Sequence, residues 1–598
     1  MTSHGHRKRV RSVAAASTVA LLSFATACTT LPGDGTPHVL HQYQPPAAKI
    51  EIPEPKTNVA PDVILRDFYS ATAHPSNNYA AARKFLTEDL GQTWEPKGPA
   101  KIVDSINLIP RGAQDSSRQT FAIRTNVVGT LGDDGAYESR IEEYEDTVEM
   151  RQSPDGQWRI SQVPNSLIVD RQTFLGNHAP RNVYFLDPSG NQLVTDRRWI
   201  YRGVTDGATA LLEKLKDGPS QPLFPGVTTV LPHTANIRLD DARTSETGGR
   251  VINVDGLGDV DQSLRTMLAA QIVWTLAMAD IRGPWTINAD GAPLVAGHEG
   301  PWTRDSDELR TYDPTRVPAD RVRMRTVDAN GLYEVADGRA TPMKNGWGSV
   351  GNAVLTSAGV GVDASGSEII AAVARSSREA DNSSALLLGL ASGEPTPVLT
   401  GSSFSRPSWS PDAAAVWTVK DGNSVVRIVH STVTSRPAVE EVDISELKHL
   451  LDDGGAGISE LRIDSSGTQA AMIINGQVVV ATIQRSESAP WKLVRPRALP
   501  TADSVNPVTL TWSANHSITV GAYGTDAPMW RVYPDGATNS VLPKLNLSPP
   551  VTVVTATSSK LYALDTNALM ELISSEGEEQ FWRLVPGVGT RMAPVSVE

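Results

Sequence analysis

Cys28 is the only cysteine among the 598 residues. A lone thiol can build neither an intramolecular disulfide nor a zinc site of the paired-cysteine type. What remains is chemistry on the thiol itself. No other constellation in the chain has the spacing that catalysis requires. The nucleophile-elbow pattern GxSxG, the zinc pattern HExxH and the phosphate loop GxxxxGK[ST] are all missing from the sequence. The histidines are scattered, and His430, His449 and His516 read as separate surface or turn positions. Asp255, Asp259 and Asp261 superficially suggest a calcium loop. However, Leu257 stands at its third position and Thr266 at its twelfth, where a bidentate Glu belongs. We therefore expect Asp259 or Asp261 to cap a following helix. The carboxylates between Glu138 and Glu149 read as a solvated face or strand edge, and Trp409 and Trp512 as core residues rather than sugar platforms. The expectation is no metal, no cofactor and no enzyme.

The position of Cys28 gives it meaning. Arg7, Lys8, Arg9 and Arg11 precede an apolar run over residues 12–27, which is short for a helix that must cross a bilayer with about 20 residues. A basic region, a short apolar core and small residues at its end describe a secretory signal peptide, placed here at 1–27. Ala25, Thr26, Ala27 and Cys28 resemble a bacterial lipobox, with Ala25 where Leu is usual. That resemblance implies cleavage before Cys28, an S-diacylglyceryl thioether on its sulfur and an acyl group on its new amino terminus. Two or more chains hold a protein stably at a membrane, at about 0.8 kcal/mol per buried CH₂. The competing reading is an ordinary signal peptide with an incidental cysteine. Residues 28–60 follow as a polar tether, in which Pro45, Pro46, Pro53 and Pro55 favour an extended spacer. The expected localisation is the extracytoplasmic face of the cell membrane.

Three blocks must then account for the rest, and the predicted class is multidomain: two α+β domains followed by an all-β propeller. Over 61–178, Ile64, Phe68 and Ala71 recur at helical spacing, as do Ala82, Leu86 and Leu90, with Asn77 and Asn78 as expected caps. Strand-like stretches follow, two of them joined at Pro154, Asp155 and Gly156. This order is similar to a small cone of the nuclear-transport-factor-2 type. Over 180–297, Pro188, Gly190 and Asn191 mark a hairpin, and a helix from Ala208 stops at Gly218 and Pro219. A longer helix carries Leu264, Leu268, Gln271 and Thr275 on one stripe and Met267, Trp274 and Met278 on its neighbour. The segments Gly207 to Leu212, Gln271 to Leu276 and Asn288 to Gly291 resemble the GerMN domain of bacterial envelope and spore proteins.

From 315 to 598, a strand-turn-strand motif recurs around Asp363, Ser410, Asp464 and Ser513. The interval of roughly 50 residues fits a propeller blade. Four blades are clear, and strands near Leu332 and from Val551 point to as many as six. A β-sandwich with coincidental spacing is the alternative.

The formal net charge of −13 disfavours a sequence-independent nucleic-acid binder, which needs a cationic surface. All three blocks, in this order behind a lipobox, resemble the LpqB family of actinobacterial lipoproteins. The more specific pieces run from Arg66 to Ala71, from Tyr79 to Leu86 and over Trp94, Glu95 and Pro96. The resemblance implies a membrane-anchored accessory that touches the extracytoplasmic domain of an MtrB-like sensor histidine kinase. Two other classes stay open. One is a solute- or glycan-binding lipoprotein, which needs a deep cleft between blocks. The other is an extracytoplasmic enzyme using a pocket in the first domain.

Overall fold

The computed structural model describes residues 52–598, apart from 113–116, 245–248, 299, 316–322, 379–382, 431–436, 452–454, 486–489, 502–504, 525, 574–579 and 598. In the first domain, Pro61 opens helix Pro61–Ala71 at the position where its missing N–H costs nothing. The helix buries Ile64, Leu65, Phe68 and Tyr69 against a six-stranded sheet. Strand Trp158–Gln162 leads that sheet, followed by Tyr137–Gln152, Arg118–Leu131, Ala100–Val103 and Ile168–Asp170, while Asn107–Arg111 also pairs with Arg118–Leu131. The hairpin at Asp155 is present, with the carboxylate accepting from the Gln157 N–H at 3.1 Å. The expected Asn caps are not. Asn77, Asn78 and Tyr79 lie inside Ser76–Arg83 with φ of 52°, 53° and 58°. Asn is the residue other than Gly that best tolerates this left-handed region, so its presence marks a kink rather than a cap.

The acidic strand Tyr137–Gln152 is flanked by Trp158–Gln162 only near its C-terminal end, where the register runs from Glu149 to Gln152. Its remaining carboxylates sit on a solvated face, where Glu145 pairs with Arg111 and Arg124.

The second domain joins hairpin His178–Leu186 and Leu193–Tyr201 to a four-stranded sheet and two helices. Asp206 caps Gly207–Asp217 through the Ala208 N–H at 3.0 Å, and Gly218, at φ 83°, ends that helix. The long helix Gln262–Ala277 departs from the two-stripe expectation. Residues 268–276 are all buried, while Leu264 and Met278 are exposed. Its buried polar groups have a structural task. Gln271 donates to the Tyr184 carbonyl at 3.0 Å, and Thr275 accepts the Tyr184 N–H at 3.1 Å. Both atoms of one hairpin peptide position are thereby satisfied inside the core. Asp261 occupies the N-cap position without a side-chain bond.

Among the described residues, the third region is a ring of six sheets, antiparallel except for one added parallel strand. Blade one comprises Arg325–Val327, Leu332–Ala336 and Arg339–Pro342. Its innermost strand, Ala593–Pro594, comes from the far end of the chain. Blades two to six begin with Ala353–Val362, Ser408–Trp409, Ile458–Ile463, Pro507–Trp512 and Val553–Ala556, and each inner strand touches the next around the ring. Ser596–Val597 pairs in parallel with Ala353–Val362, completing the closure.

Apolar cores lie between each neighbouring pair of blades. Val416 and Ile428 pack on Ile369 and Leu388, for example, and Ile518 and Val520 on Ile473 and Val480. A sandwich would have one core between two sheets, so that alternative is excluded.

The four recurring motifs all occupy the turn after the innermost strand. There Asp363 and Asp464 accept N–H groups of their own loops at 2.8–2.9 Å, and Ser410 accepts the Ala415 N–H at 3.1 Å. Trp409 and Trp512 at the ends of these strands donate indole N–H groups to Gly359 and Arg462 carbonyls of the preceding blade. They fasten blade to blade.

Near the axis, Arg406 from blade three bonds Glu460 of blade four through Nε (2.9 Å) and Nη2 (2.6 Å). It also donates to the carbonyls of Leu510 in blade five and Val554 in blade six, each at 2.8 Å.

Candidate functional site at the three-domain junction

Polar groups of all three domains meet where the domains adjoin. Strand Leu193–Tyr201 of the second domain is the centre of this arrangement. Its Trp199 N–H reaches the Gly135 carbonyl of the first domain at 2.7 Å, and its indole donates to Asp535 in blade five at 3.0 Å. Arg198, fully buried, is fixed by Asp196 at 2.7 Å, Asp134 at 3.3 Å and the Gly218 carbonyl at 2.8 Å. Arg171 of the first domain donates to the Ala537 carbonyl. On blade four, Thr482 and Arg497 both donate to the Pro222 carbonyl, at 2.6 and 3.0 Å.

These contacts surround a cavity of about 310 Å³ with walls from all three domains. Arg197 crosses its edge, stacked 3.9 Å from the Tyr533 ring centroid, with Nε 3.5 Å from Asp535. Its Nη1 is closed off from solvent and has no hydrogen-bond partner among the described residues; the same is true of Arg497 Nε and Gln469 Oε1, and all three residues line the cavity. An unmet buried hydrogen bond of this kind costs about 1–3 kcal/mol. Burial lowers the Arg497 pKa to about 10, and the charges of Glu138, Asp535 and Asp196 offset that only in part. On the rim, burial holds the His516 imidazole below its ordinary pKa, while the nearby Asp464 pulls the other way. Burial pushes the Asp464 carboxyl up.

The residues singled out from the sequence are distributed differently. Cys28 lies outside the described residues. The loop at Asp255 has the wrong polarity for a cation: its Gly256 and Gly258 N–H groups point at the Asp290 carboxylate, at 2.6 and 3.1 Å, and hold that carboxyl below its usual range. His516 keeps its expected turn position and also lines the cavity, whereas His430 and His449 do not. Arg197, Gln469 and Arg497 had no sequence signal, since nothing in their spacing announces that they converge. Among the described residues, no cluster of His, Cys, Asp and Glu could hold a metal ion.

Comparison with known proteins decides the family. The model for the lipoprotein LpqB N-terminal domain matches 54–175, a sporulation and spore germination model matches 182–295, and the lipoprotein LpqB beta-propeller model matches 330–596. Lipoprotein LpqB of Corynebacterium jeikeium is 34% identical, covering 97% of this chain and 96% of its own. The chain belongs to the LpqB lipoprotein family. Other LpqB relatives agree, at 31% identity in Rhodococcus jostii, covering 98% of both chains. In Mycobacterium tuberculosis the identity is 30%, covering 94% of this chain and 95% of the relative. Among solved structures, a β-propeller domain of Myceliophteria thermophila Cps50 aligns with a TM-score of 0.24 and 10% identity, over 39% of this chain and 73% of its own.

LpqB membership makes this an envelope lipoprotein, with the GerMN-like block in the middle and an all-β region at the end. Among the described residues, no helix is long and apolar enough to cross a membrane.

Proposed function

We propose that this LpqB-family protein is tethered to the outer face of the cell membrane through lipid on Cys28. There it modulates an MtrB-like sensor histidine kinase by protein–protein contact, without catalysing a reaction. Family membership over nearly the whole chain carries the reading. In the same reading, residues 1–27 are a removed signal peptide, and the first domain is a cone of the nuclear-transport-factor-2 type serving as a recognition module. A lipid anchor confines the protein to the same surface as the kinase, which raises the effective concentration of a weak partner. Modulation then needs only a different affinity for two kinase states.

The test compares kinase phosphorylation output in cells with the protein, without it, and with Cys28→Ser at equal abundance. Unchanged output without the protein would defeat the modulator reading. Full activity of Cys28→Ser would defeat the role of confinement, and lipid still attached to that variant by mass spectrometry would defeat the anchor. One observation favours a second reading as a solute-binding lipoprotein: the cavity between the domains.

A further inference from the structure

Three residues that line the junction cavity, Arg197, Gln469 and Arg497, each carry a buried polar atom without a hydrogen-bond partner among the described residues. The cavity volume of about 310 Å³ falls at the lower end of the range for small-molecule sites. Arg197 is held in place by Asp535, by Thr538 at 3.3 Å and by the Tyr533 ring, so its guanidinium is oriented before anything binds. The Arg497 side chain, from blade four, donates to the Pro222 carbonyl, its one hydrogen-bond partner among the described residues.

Asp196 and Asp535 also line the cavity; Asp535 is shared with Arg197, 3.5 Å from its Nε, and both carboxylates act on Arg497 from beyond ion-pairing distance while bonded to other groups. Asp196 receives Arg198 and the Ser220 N–H, and Asp535 receives Trp199 and the Ala537 N–H. Glu138 acts on Arg497 only from an exposed position. A planar guanidinium is matched by the paired oxygens of a carboxylate or phosphate, and charge-assisted bonds of this type are the strong ones. Gln469 Oε1, buried without a partner among the described residues, adds an acceptor to the same cavity lining. Tyr137, Pro222 and Leu223 supply apolar wall.

We propose that this cavity binds a small oxyanion-bearing solute, a carboxylate or a phosphate, between Arg197 and Arg497, with Gln469 accepting a hydrogen bond from the same molecule. This goes beyond contact with a kinase and does not depend on it. Because the walls belong to three domains, an occupant stabilises their joined arrangement, which couples solute level to the surface the molecule presents.

The test uses the full chain in detergent, titrated calorimetrically with inorganic phosphate, succinate and citrate against sodium chloride of matched ionic strength. Hydrogen exchange is measured at saturation. Saturable heat is expected with phosphate or with the carboxylates, and which of the two binds identifies the head group. Exchange should slow in peptides covering 195–198, 220–226, 495–498 and 533–538. Arg497→Gln and Arg197→Gln should each weaken binding by about tenfold or more, with Arg497→Lys retaining part of it. No saturable binding of any probe overturns the proposal. So does binding indifferent to both arginine variants, or protection confined to other parts of the chain. If a variant fails to fold, the protection pattern on the unmodified chain decides the matter.

Discussion

Replacing Glu460 with Leu should destabilise the propeller far more than a single exposed ion pair would allow. Arg406 and Glu460 are each only 7% exposed, and two of the four Arg406 hydrogen bonds end on one Glu460 oxygen. Removing the carboxylate leaves a guanidinium buried with the Leu510 and Val554 carbonyls alone, at a cost of about 3–5 kcal/mol. Arg406→Met is worse, since it leaves a buried carboxylate unpaired and also orphans two carbonyls at about 1–3 kcal/mol each. The double variant loses only the carbonyl bonds, so about 2–6 kcal/mol is expected, below the sum of the singles. At roughly 2–4 °C per kcal/mol for a region of this size, Glu460→Leu should lower the propeller transition by roughly 6–20 °C. Calorimetry on the full chain, with hydrogen exchange on the inner strands to assign the transition, measures this. A shift in the single variant under about 2 °C, or additivity in the double, would refute the idea that this pair ties blades three to six together.

Acid should weaken the contact between the first two domains. His178 is buried with its pKa lowered to about 4 by burial, and burial lowers that of the adjoining His74 as well. Between pH 6.5 and 4 the unfolded chain therefore binds more protons than the folded one, so stability falls as pH drops through that window. His178 alone accounts for about 3 kcal/mol. Urea midpoints of the full chain at the two ends of the window test this, and His178→Phe should flatten the difference. Gly536→Val should loosen the first domain from blade five by roughly 1–3 kcal/mol. A Cβ there would meet Ser139 Cβ at 2.6 Å in a backbone with φ 76°, and faster exchange over 533–538 is the readout. Gln271→Leu should cost about 1–3 kcal/mol by orphaning the Tyr184 carbonyl and the Val230 N–H, seen as a lower Tm with unchanged secondary structure.

The propeller was legible where each blade repeats the same local problem. The turn after each inner strand needs a short side chain that accepts its own backbone N–H groups, so Asp363, Ser410, Asp464 and the Asn515 turn recur at blade length. Blade six escaped this signal because its corresponding turn uses Thr557 to accept the Lys560 N–H. Blade one escaped it because its inner strand is Ala593–Pro594, which no local pattern can connect to Arg325–Val327. The long helix of the second domain was misread as striped because burial on every face erases the periodicity. Asn77 and Asn78 carry a propensity shared by caps and left-handed turns, and only the packing of Tyr79 and Arg83 around Trp94 distinguishes the two. The cavity could not be read at all. Arg197, Gln469 and Arg497 belong to different domains or strands, and their meeting depends on how finished domains dock.

The use of Ala593–Pro594 and Ser596–Val597 to shut the ring also sets an order in time. A chain made from its N-terminus presents five complete blades and one incomplete blade before the closing strand exists. Until then, the inner edges of Arg325–Val327 and Ala353–Val362 have no neighbour to pair with. Such edges are templates for wrong pairing between chains. The last few residues therefore work as a latch, and a chain cut short just before them would keep almost all of its sequence yet leave the ring open.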